Sequence, residues 1–151
     1  MESSSLYHEI VLRHKREPRN FGSLSRYTHA SQGINALCGD RLHVQVDCAD
    51  DHLVEMRFTG ECCAITVASA SIMSEMVVGK DRHAIDAIAN RFAQYLSGDD
   101  AHANELGELC AFNELRRHST RRKCALLPWA ALRGALAGAV VATTEGAGLT
   151  E

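Results

Sequence analysis

Nothing in this 151-residue chain approaches eighteen consecutive apolar residues, so no membrane-spanning helix is available and no membrane partner is expected. A basic surplus is missing too. Sixteen Lys and Arg against nineteen Asp and Glu leave a net charge of −3 and a pI near 6.2. That balance is wrong for a surface that neutralises phosphates, so a nucleic-acid partner is not expected. The opening residues MESSSLYHEIVLRHKR hold no apolar core followed by a small-residue cleavage site, so export is not signalled and a cytoplasmic setting is expected. No C-x-x-C pair occurs, which removes the common thiol-redox motif. Neither H-x-E nor P-C-x-x-C occurs, which removes the zinc-deaminase pattern. Internal repeats and long linkers are also missing. One domain over residues 1–141 is expected, with the small, polar residues 142–151 fraying as a tail.

What is present is ordinary globular material, 46% hydrophobic and 23% charged, which excludes a disordered chain. Leu6 and Ile10 place an apolar face on a helix over residues 5–16 that stops before Pro18. Leu42, Val44, Val46 and Cys48 alternate with polar residues, as do Val54, Met56 and Phe58; both runs are half-buried strands joined by a hairpin over residues 49–52. Residues 26–35 are a third strand candidate. Helices are expected over Cys63–Val78, ended by Gly79, over 85–96, ended near Gly98, and from Cys124 to Val141. Pro128 suits the last one only near its first turn. Between them, Asp99–Leu115 holds five acidic residues and no Lys or Arg, and Arg116–Lys123 holds five basic residues and no acid. Both runs read as solvated surface.

Six cysteines in a reducing compartment point to metal or sulfur chemistry more than to disulfides. Cys38, Cys63 and Cys124 stand at segment junctions, where a side chain can project from the fold. Cys63 and Cys124 fall at expected helix N-termini, where the partial positive charge favours thiolate, and Arg121, Arg122 and Lys123 add positive field at Cys124. Three thiolates and one carboxylate satisfy tetrahedral zinc, and thiolates also select iron–sulfur clusters. Asp40, two residues after Cys38, is the candidate carboxylate, the plainer alternative being that it caps or turns the loop through an Asx hydrogen bond. Cys48 and Cys110 read as packing thiols, Trp129 as a core anchor and most of the eight histidines as exposed.

These residues also resemble a family. Leu6-Tyr7, Pro18-Arg19-Asn20-Phe21-Gly22, Asn35 with Cys38-Gly39-Asp40, Gly60 with Cys63-Ala64-Ile65, Ala68-Ser69-Ala70-Ser71, and Arg121 with Lys123-Cys124-Ala125 and Leu127-Pro128-Trp129 occur in the order found in the IscU/SufU (NifU N-terminal type) iron–sulfur assembly proteins. The resemblance implies an α+β fold, a three-stranded antiparallel sheet with helices packed on it and the metal site at one end. It implies Cys38, Asp40, Cys63 and Cys124 as ligands of zinc or of a nascent iron–sulfur ([2Fe–2S]) cluster. It also implies a pyridoxal-phosphate cysteine desulfurase of SufS type as sulfur donor, with downstream iron–sulfur clients or carriers as recipients. Cys38 is then the persulfide acceptor, with Cys124 the alternative, and Arg121 and Lys123 face the partner.

Within that family the housekeeping IscU form carries a histidine before its last cysteine and a proline-rich chaperone-binding segment. Lys123 takes the histidine's place here, His118–Arg122 lacks the prolines, and the acidic stretch around Leu106-Gly107-Glu108-Leu109 looks like the SufU insertion. The SufU form is therefore expected, without a dedicated chaperone. Two departures stand out: Ala36 where the family has proline, and Cys62 where it has glycine. The rival readings are a zinc hydrolase and a purely structural zinc module.

Overall fold

The computed structural model describes residues 3–144. In chain order it has α1 (Ser3–Arg16), β1 (His29–Asn35), β2 (Asp40–Ala49), β3 (His52–Glu61), α2 (Ala64–Met76) and α3 (Arg82–Leu96). Two 3-10 segments, Ala103–Glu105 and Gly107–Arg117, lead into α4 (Ser119–Leu136), and β4 (Val141–Thr143) follows. The sheet order is β3-β2-β1-β4.

The hydrophobic alternation sets the sheet. Leu42, Val44, Val46, Met56 and Phe58 are all buried on one face. Antiparallel pairing places Val44 opposite Phe58 and Val46 opposite Met56. The connecting turn holds Asp50 and Asp51 at φ 53° and 65°, the left-handed pair a two-residue hairpin requires. β1 pairs antiparallel with β2, from His29 opposite Val46 to Asn35 opposite Asp40.

The sheet is four-stranded and mixed, not three-stranded and purely antiparallel. β4 runs parallel to β1, Gln32 opposite Val141 and Ile34 opposite Thr143. Val141 is therefore strand where the sequence suggested the end of the last helix, and 142–143 are strand where it suggested a frayed tail; 145–151 lie outside the described residues. The gain is physical, since β4 covers a β1 edge that would otherwise present unpaired amides and carbonyls. Sequence could not show this: a three-residue strand carries too short an alternation to read.

Helix boundaries follow local chemistry. Asp81 caps α3 by accepting the Ala84 amide at 2.8 Å. Asp81→Ala is expected to cost about 1 kcal/mol, measured as a lower urea midpoint. The last helix begins at Ser119, a turn before the expected Cys124, and stops at Leu136 rather than Val141 because Gly138 adopts φ 84°. Pro128 therefore sits in mid-helix and not near its first turn. Gly33 lets α4 close on β1, since a Cβ there would stand 3.1 Å from Ala131 Cβ and 3.2 Å from Leu127 Cγ.

The acidic stretch is solvated only along its carboxylates, and its other face is core. Leu106, Leu109, Phe112 and Leu115 recur every third residue, all are buried, and a 3-10 helix brings positions i and i+3 onto one face. Its carboxylates are paired: Glu105 with Arg91 at 2.5 Å, Asp100 with Arg116 and Glu108 with Arg13. Glu108 also meets Nε2 of His14 at 3.0 Å, and Nδ1 of His14 lies 2.6 Å from Ser71 Oγ. His14 is only 1% exposed, against the expectation for the histidines, and it ties α1 to α2 and to the 3-10 segment. Trp129 anchors the core as expected, its ring 6.0 Å from that of Phe92, which in turn lies 6.0 Å from Phe112.

Candidate metal centre

Three junctions meet at one end of the sheet. The β1–β2 hairpin turn, residues 36–39, presents Cys38 beside Gly39 at φ 72°. Asp40, the first residue of β2, is 2% exposed. Cys63 is the N-cap of α2, as its position after β3 suggested. Cys124 lies in the second turn of α4, 1% exposed, and not at the helix N-terminus. The correction follows from the early start of α4.

Donor atoms of Cys38, Asp40 and Cys124 all lie within 4.8 Å of one another. The Cys38 and Cys124 sulfurs are 3.0 Å apart with no disulfide between them, and all six cysteines are free. Cys63 falls outside that trio, but its Sγ is 3.8 Å from Asp40 Oδ2. Asp40 is doubly bound: Oδ1 accepts the Cys63 amide at 2.7 Å, and Oδ2 accepts the Thr66 hydroxyl at 2.7 Å. It thus supplies the α2 cap that Cys63's own side chain does not.

The thiols divide sharply. A hydrogen bond from Cys124, with help from Thr66 and against burial, pulls Cys63 down to about 6. Cys124 is pushed far up, by its hydrogen bond to Cys63, then by burial and by Cys38. Cys124 is therefore not the ready thiolate that the basic run suggested, because its hydrogen bond to Cys63 and then its burial favour the thiol. Cys62 is held protonated, pushed up to about 12 by burial and by the Asp40 charge, and its S–H donates to Arg41 O at 3.3 Å. It is no member of the donor trio. Cys48 and Cys110 pack against the core from half-buried positions, as expected.

A soft cation fits what is here. Sulfur donors crowd to 3.0 Å, a buried carboxylate stands beside them, and Asn35, fully buried, points Nδ2 toward Cys124 Sγ at 3.8 Å while its Oδ1 has no partner.

The NifU-like N-terminal domain family matches residues 6–137, nearly the whole described chain. This protein belongs to that family. The zinc-dependent sulfurtransferase SufU of Bacillus subtilis (strain 168) is 31% identical over 134 residues, 88% of this chain and 90% of that one. The iron–sulfur cluster assembly scaffold protein IscU of Streptococcus pyogenes serotype M1 is 33% identical over 132 residues, 87% of this chain and 82% of its own. Among solved structures, a putative iron–sulfur cluster assembly scaffold protein for the SUF system from Fervidobacterium islandicum AW-1 superimposes with TM-score 0.82 at 27% identity, covering 89% of this chain and 99% of that one.

For a NifU-like domain, the surroundings of the donors are now specific. Leu37, next to Cys38, is 67% exposed, so the hairpin turn carrying Cys38 is the outermost part of the site. Arg121 is exposed and Lys123 half-buried on the first turns of α4. Thr66 is the residue that sequence reading missed. It is 0% exposed and touches Cys63, Asp40 and Cys124, three of the four expected donors, yet a lone threonine inside an apolar helix gives no signal of that. Within the described residues, no helix is long and apolar enough to cross a membrane.

Proposed function

We propose that this NifU-like domain is an iron–sulfur assembly protein that accepts persulfide sulfur from a cysteine desulfurase. The observation that carries the reading is the convergence of Cys38, Asp40 and Cys124 within 4.8 Å, with Cys63 flanking Asp40, at one end of the fold. Cys38, Asp40, Cys63 and Cys124 would hold zinc, whose chemistry is to keep thiols deprotonated yet exchangeable. The carboxylate is the weakest of the four donors. In the transfer, the Cys38 thiolate attacks the outer sulfur of the donor's persulfide. The S–S bond of the donor breaks, its cysteine leaves as thiolate, and the new S–S bond leaves Cys38 as the persulfide. Arg121 and Lys123, at the rim, face the docking desulfurase. The cytoplasm is the setting this reading takes, as the sequence suggests.

The experiment adds the purified protein to a cysteine desulfurase with radiolabelled cysteine. Expected are label on this chain and faster desulfurase turnover. No transfer and no acceleration would sink the reading, whereas retained zinc with unchanged turnover would leave a structural zinc module. The 33% identity to a protein named as a cluster scaffold favours a second role, in which the same thiols hold a nascent cluster as cargo. Anaerobic iron and sulfide should then give a visible-absorbing species; active transfer without one leaves the zinc-dependent sulfurtransferase form.

Metal removal has a thermal readout. A ligand that binds only the folded chain and is present at a thousand times its Kd stabilises by about 4 kcal/mol. Chelation is therefore expected to lower the melting temperature, and re-addition of zinc to restore it.

A further inference from the structure

We propose that Thr66 is a positioning residue of the metal centre, its buried hydroxyl holding Asp40 and the Cys124 segment in place for ligation. This deepens the reading above and rests on it. The hydroxyl lies 2.7 Å from Asp40 Oδ2, 3.4 Å from Cys63 Sγ and 3.2 Å from the Cys124 carbonyl. One side chain thus touches the first residue of β2, the cap of α2 and the second turn of α4.

The Cys124 contact exists because of Pro128. In a regular helix the Cys124 carbonyl would accept the amide four residues on, but that residue is proline and has no N–H. The carbonyl is left free in a buried place, and a buried carbonyl needs a donor. Thr66 stands within reach from the facing helix. One turn further along α2, Ser69 Oγ donates to the Ala125 carbonyl at 2.5 Å. The two hydroxyls lie on one face of α2 and stand against the consecutive α4 carbonyls of Cys124 and Ala125.

Thr66 has a single proton and two oxygen acceptors. It donates to Asp40 at the shorter distance, and the Cys124 carbonyl is its second acceptor when Asp40 turns away. The carboxylate can therefore leave or join the ligand set without stranding the hydroxyl. Partners that orient metal ligands typically change metal affinity 10–100-fold when removed.

The test compares Thr66→Val, isosteric without the hydroxyl, with Thr66→Ser, which keeps it. Zinc affinity is read by competition with a chromophoric chelator, the site's geometry by the thiolate-to-metal absorption of the cobalt-substituted protein, and the fold by circular dichroism of the chelated protein. Expected for Thr66→Val is a 10–100-fold weaker zinc site and an altered cobalt spectrum, with Thr66→Ser restoring both. If Thr66→Val does not fold, Thr66→Ala carries the same expectation. Parent-like zinc affinity and cobalt spectrum in the folded hydroxyl-free variant overturn the proposal and leave the metal reading standing, as does a folded Thr66→Ser that loses zinc as badly as Thr66→Val. A parent protein that takes up no zinc overturns both.

Discussion

Cys38→Ala is expected to abolish both the acceleration of the desulfurase and the label carried by this chain, returning turnover to that of the desulfurase alone. The reason is position. Cys124 is 1% exposed and committed to its neighbours, and Cys63 is fixed at a helix start whose amide is bound to Asp40. Cys38 instead rides a four-residue turn beside an exposed leucine and is itself only half-buried. Transfer needs a thiolate with access to the incoming sulfur, and within the donor trio Cys38 is the cysteine with that access. Cys48→Ser and Cys110→Ser should leave transfer close to the parent's. Label that persists in Cys38→Ala and vanishes in Cys124→Ala would move the acceptor to Cys124. Labelled peptides after rapid acid quench and digestion distinguish the two.

Gly60→Ala is the second large effect, and it concerns folding. Gly60 sits at φ 155°, and a Cβ there would stand 2.2 Å from Arg41 O and 2.9 Å from Leu42 Cα. Both are backbone atoms of the neighbouring strand, so no rotamer change relieves the clash. Backbone strain and overpacking together predict a loss of about 3–5 kcal/mol, a large share of the roughly 5–15 kcal/mol that stabilises a typical domain. A collapsed urea midpoint is the expected result; a midpoint within error of the parent would show that β2 and β3 part at no cost. Because Arg41 follows Asp40, a variant that does fold should also bind zinc more weakly.

The parts of this fold legible in the sequence are those with a long period. Alternation over residues 42–58 gave β2 and β3, and the apolar spacing of α2 and α3 gave their extents to within a few residues. The 3-10 segment is not legible, because the spacing of three in Leu106, Leu109, Phe112 and Leu115 matches neither an α-helix nor a strand. The early start of α4 is not legible, since proline suits a first turn and here stands in mid-helix. The site was legible as a set of residues, through the order of several motifs. Its electrostatics were not: whether Cys63 or Cys124 surrenders a proton depends on burial and on contacts between segments 61 residues apart.

That separation also shapes how the site comes into being. During synthesis Cys38, Asp40 and Cys63 emerge together, and at roughly 5–20 residues per second the chain needs about 3–12 s more to reach Cys124. Even then Cys124 joins the others only when α4 docks on β1, where Gly33 admits it. A truncated or half-translated chain therefore offers at most an open, three-donor fragment. On the proposed reading, the full donor set exists only in molecules whose last helix is already in place.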